Sequence, residues 1–208
     1  MEFSQIILFF VASLALIAAP GPDMVYVLTR GVSGGKKIGL YSAAGITIGI
    51  LVHTLLASVG LAALFKTSLI AFMVVKYVGA AYLLFLGIKT FITSNNTSTE
   101  DYPKDNSYKS AFWQGVLTNV LNPKVALFIL AFLPQFISEP AGNPALQMLL
   151  LGSVYAAMTL ILYGTFGYFT GRIGKWLKNH PKVEKWMHRF SGLVLIGLGL
   201  RLALMQQK

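Results

Sequence analysis

Long uncharged runs alternate with short, mostly basic stretches along this 208-residue chain. With ~20 residues needed for one crossing of a bilayer, the pattern predicts six apolar segments, at 3–28, 39–64, 69–92, 110–136, 145–170 and 189–206. Two of them are interrupted. In the first, Ala19-Pro20-Gly21-Pro22-Asp23 closes a run from Phe3 to Ala19 that holds no charge. In the fourth, Asn122-Pro123-Lys124 falls mid-segment. Proline removes an amide donor and clashes with the preceding turn, and glycine loosens the backbone. Backbone groups opened inside lipid must be met by protein or by water in a cavity, so each break is a functional candidate. The N-terminus reads as an uncleaved first helix rather than a signal peptide ending at Ala18-Ala19. It lacks a basic start, since Glu2 is its only charged side chain, and a proline follows directly.

The connecting stretches carry the topology. The first holds Arg30, Lys36 and Lys37, the third Lys89, Lys104 and Lys109, and the fifth Arg172, Lys175, Lys178, Lys182, Lys185 and Arg189: twelve basic residues on one side. Lys66, Lys76, Arg201 and Lys208 make four on the other, and Ser138 to Pro144 has none. The positive-inside rule then places stretches one, three and five in the cytoplasm and both termini in the periplasm. Residues 94–107 form a long polar linker midway along the chain. In the fifth stretch, Trp176, Leu177, Trp186 and Met187 among the bases fit a short helix lying on the inner leaflet.

Composition narrows the class. The chain is 55% hydrophobic and only 12% charged, where a soluble domain has about 25% charged residues. The net charge of +10 flanks apolar runs, which matches an anionic membrane surface and not nucleic acid. With no cysteine, disulfides and thiolate chemistry are excluded. No phosphate-cradling loop, nucleophile elbow or paired-carboxylate motif is present, so ATP-driven transport by this chain alone and enzymatic roles lack support, and no cofactor is expected.

The two halves, about 1–93 and 108–208, resemble each other within one transmembrane domain covering 1–208. Gly21-Pro22-Asp23 aligns with Asn122-Pro123-Lys124. Lys76-x-x-Gly79 with Leu86-Gly87-x-Lys89 aligns with Arg189-x-x-Gly192 and Leu198-Gly199-x-Arg201. Three spans per half force the second to run opposite to the first. The expected fold is therefore all-α, six transmembrane helices in a 3+3 inverted repeat whose first and fourth helices are broken, as in transporters with a site at the midplane. Gly39, Gly45 and Gly49 read as helix-packing positions, and glycine-rich faces permit a homodimer without requiring one.

Asp23 is the only acid inside a predicted span, and Lys124 the only base deep within one. A charge at mid-membrane costs ~3 kcal/mol on insertion scales, so Asp23 must face a cavity, meet a cation or take up a proton. The repeat puts both residues at related positions. Asp23 could hold a substrate ammonium, Lys124 a substrate carboxylate, and a zwitterionic amino acid would match both; a structural Asp23–Lys124 ion pair is the bland alternative. Gly21, Pro22 and Pro123 set the breaks, where helix N-termini favour anions and freed carbonyls accept from cations. Asn119 and Asn122 add donors and acceptors. His53, mid-segment, is a packing residue or a proton relay. With His180 and His188 in a connecting stretch, no metal site is expected. Gln135, after Pro134, ends the fourth segment and could line an exit.

At these residues the sequence resembles the LysE/RhtB family of bacterial amino-acid exporters, over nearly its whole length. One motif runs from Ala19-Pro20-Gly21-Pro22-Asp23 through Leu28-Thr29-Arg30-Gly31 and Gly34-Gly35-Lys36-Lys37 to Gly39. The other runs from Asn119-Val120-Leu121-Asn122-Pro123-Lys124 to Phe132-Leu133-Pro134-Gln135-Phe136. The resemblance implies an inner-membrane exporter of amino acids or their derivatives, coupled to the proton-motive force. Asp rather than Asn at position 23 looks like the branch linked to homoserine, threonine and leucine-type substrates. Partners would be a small amino-acid substrate, protons and lipids. A metal-ion exporter or channel of the same fold, and a membrane-embedded enzyme, are the alternatives.

Overall fold

The computed structural model describes residues 3–67, 69–92, 107–137, 142–170 and 180–204, and among these no strand occurs. The helices are α1 (Phe3–Ala18), α2 (Pro22–Thr67), α3 (Leu69–Ile92), α4 (Tyr108–Val120), α5 (Pro123–Leu127), α6 (Pro144–Tyr168) and α7 (Pro181–Leu204). A π-helical turn, Phe128–Phe132, and a 3-10 turn, Leu133–Phe136, continue α5. Within the described residues, each predicted apolar segment thus lies mostly on helix. The stretch Pro22–Gly60, α6 and Lys185–Leu204 are each long and apolar enough to cross a membrane. The pair from Tyr108 to Val120 and from Pro123 to Phe136, bent by 53°, qualifies together as a fourth, and Ser4–Ala18 is a shorter apolar helix.

The polarity is inverted relative to a soluble protein. Large apolar side chains such as Val11, Leu55, Val59, Ile161 and Leu193 face outward. Ser13, Asp23, Arg30, Ser42, Asn119, Asn122, Lys124 and Thr159 are buried. Three buried threonine hydroxyls bond back along their own helices: Thr47 to Ala43 O, Thr54 to Ile50 O and Thr159 to Tyr155 O. A medium without water rewards this arrangement, since every polar group must find its partner inside the protein.

Two expectations are corrected. The first connecting stretch is a tight turn: Pro22–Thr67 holds two helices joined at Gly35, whose φ of 83° and ψ of 176° only glycine adopts without strain, and the chain folds back there so that Asp23 and Gly49 both meet Asn119. Arg30, counted among the loop charges, is fully buried on the first of these helices, so Lys124 is not the only base deep within a span. Arg30 sits beside Tyr26, which also faces Ser42, and Tyr26 Oη donates to Ala111 O at 2.7 Å. Likewise Lys182, Lys185, Trp186, Met187 and Arg189 lie on α7, not in a connection; Trp186 is exposed and stacks on Phe190. Arg172, Lys175, Trp176, Leu177, Lys178 and nearly all of the linker 94–107 lie outside the described residues.

Glycines let the helices approach closely. A methyl on Gly39 would strike Gly167 O at 2.6 Å, one on Gly45 would strike Phe112 O, and one on Gly49 would meet Asn119 Oδ1 at 2.7 Å. Contacts Gly39–Gly167 and Thr54–Gly152 make α2 and α6 antiparallel. The α3–α7 contact has a further property. Gly87 lies on Gly192, while Gly199 lies on Ala80, the neighbour of Gly79. The end of each motif therefore packs on the start of the other, so α3 and α7 run antiparallel.

Candidate functional site at two helix breaks

Both breaks open a new helix at proline: Pro22 is the first residue of α2 and Pro123 the first of α5. Proline is tolerated there because the first amides of a helix have no internal partner. Its cost falls on the preceding helix, where the carbonyl four residues back loses its donor.

At the first break Pro20 frees the Leu16 carbonyl. Lys124 Nζ donates to Leu16 O at 3.2 Å and to Ala19 O at 3.0 Å. Tyr163 Oη, from α6, donates to Ile17 O at 3.0 Å. A side chain on Gly21 would stand 3.1 Å from Lys124 Nζ, so the glycine leaves room for the ammonium. At the second break Pro123 frees the Asn119 carbonyl. It accepts from the Asn122 amide at 2.9 Å, and His53 Nε2 lies 3.2 Å from it. A carbonyl only accepts, so this His53 nitrogen carries the proton. Asn122 caps α5, its Oδ1 accepting from the Lys124 amide at 3.0 Å.

The carboxylate stands between the breaks. Asp23 (2% exposed), Asn119 (0%) and Asn122 (2%) form one buried cluster. Asn119 Nδ2 donates to Asp23 Oδ2 at 2.7 Å. Asp23 Oδ1, Asn119 Oδ1 and Asn122 Nδ2 have no hydrogen-bond partner. The Asn122 amide faces the same carboxylate yet falls short of hydrogen-bond geometry. Tyr155 and Tyr163 lie within electrostatic range of Asp23, and the Tyr155 ring packs 5.0 Å from that of Phe128. Buried polar atoms are nearly always paired in folded proteins. Here two acceptors and one donor are left open together beside a charge.

The structure thus gathers Asp23, Asn119, Asn122, Lys124, His53, Gly21, Pro22 and Pro123 at one place. It does not pair Asp23 with Lys124 as the bland alternative had it. The two charges attract, but two of the three ammonium hydrogens go to carbonyls and Asp23 Oδ1 stays open. Gln135 Nε2 donates to Ala131 O at 3.4 Å on its own helix. Among the described residues no three His, Asp or Glu side chains gather as a metal ion would require. Tyr163 and Gly49 escaped the sequence reading as site residues. The signal for Tyr163 was a phenol in an apolar span, which must find a partner; Gly49 gives no signal beyond packing.

Comparison with known proteins agrees with this geometry. Residues 14–206 match the family model described as LysE type translocator. An uncharacterized membrane protein of Bacillus subtilis (strain 168), YrhP, is 32% identical over 198 residues, 91% of this chain and 93% of its own. Homoserine/homoserine lactone efflux proteins of Salmonella typhi and of Salmonella typhimurium are each 30% identical over 203 residues, 98% of both chains. No solved structure matches the chain. A match over nearly the whole length settles the family: the chain belongs to the LysE type translocators, which are membrane transporters and not enzymes.

Proposed function

We propose that this protein exports neutral amino acids or amino-acid derivatives, of the homoserine, threonine or leucine type, across the bacterial inner membrane, driven by the proton-motive force. The observation that carries this is the buried Asp23–Asn119–Asn122 cluster, with three polar atoms unmet, at the meeting of two helix breaks. Asp23 receives the substrate ammonium on one half of the cycle and a proton on the other, so the costly charge is never left bare. The homoserine/homoserine lactone efflux activity named for the Salmonella relatives is of this kind.

The transport frame is a six-span 3+3 inverted repeat, its broken helices being α1 with the start of α2, and α4 with α5. The matched proline openings and the reciprocal Gly87–Gly192 and Gly199–Ala80 contacts support it. Both termini are periplasmic in this frame. The charge asymmetry keeps its sign when buried Arg30 is set aside.

The test is efflux of labelled homoserine, threonine and leucine from loaded cells, with and without an uncoupler. Saturable, uncoupler-sensitive efflux that is lost in Asp23→Asn, with the variant present at normal level in the membrane, is expected. Normal efflux by that variant would remove Asp23 from the mechanism. Non-saturable flux indifferent to the uncoupler would describe a channel.

A further inference from the structure

The Asp23 cluster is buried, so a substrate reaches it only when something on its way moves. On one side that way is filled by rings. Phe128, Phe132, Phe136 and Phe9, each 2% exposed or less, form one column. Phe128 stacks on Phe132 with ring centres 4.9 Å apart, Phe132 meets Phe136 edge-on at 5.1 Å, and Phe136 meets Phe9 of α1 edge-on at 5.6 Å. The foot of the column stands at the cluster. Phe128 lies one turn beyond Lys124, and its ring is 5.0 Å from that of Tyr155, which is within electrostatic range of Asp23. Phenylalanine rings offer neither a proton nor a polar substrate a partner, so the closed column is a barrier to both. Its far end lies against the first half of α1, the periplasmic side of the proposed frame.

The backbone under these rings departs from an ordinary helix. Phe128–Phe132 is a π-helical turn, in which the Leu133 amide donates to Phe128 O, five residues back. Such turns are rare and occur often at functional sites. Pro134 supplies a local cause: it has no amide hydrogen for Leu130 O, and its ring would clash with that carbonyl in an α-helix. Gln135 Nε2 stands in for a backbone donor at Ala131 O, at 3.4 Å, which is long for a hydrogen bond. The turn is pressed on α3, where a methyl on Gly79 would strike Ala131 Cβ. Conversion to α passes one residue out of the turn and rotates everything beyond it by ~100°, the angle of one residue. That rotation takes Phe132 and Phe136 out of the column while Phe128 stays on Tyr155. Pro134 opposes it, so the closed column is the resting form.

We propose that, given the Asp23 cluster as the transport site, the column of Phe128, Phe132, Phe136 and Phe9 is the outer gate of this transporter, opened by π-to-α conversion of the turn that carries it. Phe132 is the middle ring, and its loss removes two ring pairs, which raises the open fraction about tenfold or more.

The chain has no cysteine, so a single introduced one reports on the site. Thr159 is buried on α6, one turn from Tyr155 and one from Tyr163. Thr159→Cys is labelled in intact cells by a membrane-impermeant cationic methanethiosulfonate added outside, with efflux of labelled homoserine, threonine and leucine measured alongside. Adding Phe132→Ala, or Pro134→Ala, which returns an amide hydrogen to Leu130 O, is expected to speed labelling about tenfold or more. Phe190→Ala, which removes a ring stacked on Trp186 of α7, is expected to leave it unchanged. Phe132→Leu, near in volume but without the ring pairs, carries the same expectation if the alanine variant does not accumulate in the membrane. Labelling unchanged by any substitution in the column or at Pro134, equal acceleration by Phe190→Ala, or acceleration only in inside-out vesicles would overturn the gate. Acceleration by the Phe132 variants without Pro134→Ala would overturn the part given to the turn. Efflux present without the labelling pattern removes the gate alone; the labelling pattern without efflux removes the export reading and leaves the gate.

Discussion

Gly49→Ala is the sharpest single perturbation of this site, because it touches no candidate ligand directly. A methyl at position 49 would lie 2.7 Å from Asn119 Cβ and Oδ1 and 3.0 Å from Cγ. Carbon contacts are comfortable at ~3.5–4.0 Å, so the Asn119 side chain must retreat by about 1 Å. Its bond to Asp23 Oδ2, now 2.7 Å, would then stretch beyond useful hydrogen-bond length. Overpacking costs about 1–3 kcal/mol. Loss of a hydrogen bond to a charged acceptor adds about 1.5–3 kcal/mol, while replacing a mid-helix glycine returns about 1 kcal/mol. The net destabilisation is about 1.5–5 kcal/mol. Chemical unfolding in detergent reads the stability, and homoserine efflux from cells reads the function; both are expected to fall. Gly197→Ala is the control, since nothing lies within 4 Å of a methyl there, and it is expected to leave both intact. A Gly49→Ala protein as stable and as active as the unsubstituted one would refute the placement of Asn119 against Asp23.

Three further outcomes follow from the same contacts. Tyr163→Phe removes the donor to Ile17 O and should lower stability by about 1 kcal/mol, read by thermal unfolding, with efflux reduced and not abolished. Lys124→Met strips two carbonyls of one charged donor and should cost about 1–3 kcal/mol; Lys124→Arg, able to reach two acceptors, should restore part of it in the same measurement. Gly167→Leu places a bulky chain where Gly39 backbone lies at 2.6 Å, and should abolish accumulation of the protein in the membrane, read by immunoblot of membrane fractions.

Much of this fold was legible along the chain because lipid imposes a one-dimensional rule. Each apolar stretch long enough to cross must satisfy its own backbone, so it becomes helix, and within the described residues each predicted segment mostly did. The proline breaks were legible for the same reason: a missing amide hydrogen at Pro20, Pro22 or Pro123 is a local fact, as is the isolated acid at Asp23. The connection between the first two segments was legible, with Lys36 and Lys37 exposed at it; Arg30 was misjudged because its charge was read as exposure. Arg30 is buried instead, one turn from Tyr26, which also faces Ser42 across the Gly35 turn, a placement between residues sixteen positions apart that no linear pattern displays.

What sequence alone determined, then, was the inventory: helices, two breaks and one acid beside them. Tertiary structure decided how the polar groups are spent. Composition cannot say whether Lys124 faces Asp23, a ligand or a bare carbonyl, because all three satisfy a buried ammonium. Packing decides it. The α1 C-terminus brings Leu16 O and Ala19 O within 3.2 Å of that nitrogen, while Gly49 admits Asn119 to the Asp23 carboxylate. The atoms left over after those bonds form are Asp23 Oδ1, Asn119 Oδ1 and Asn122 Nδ2, and only the folded chain leaves a remainder.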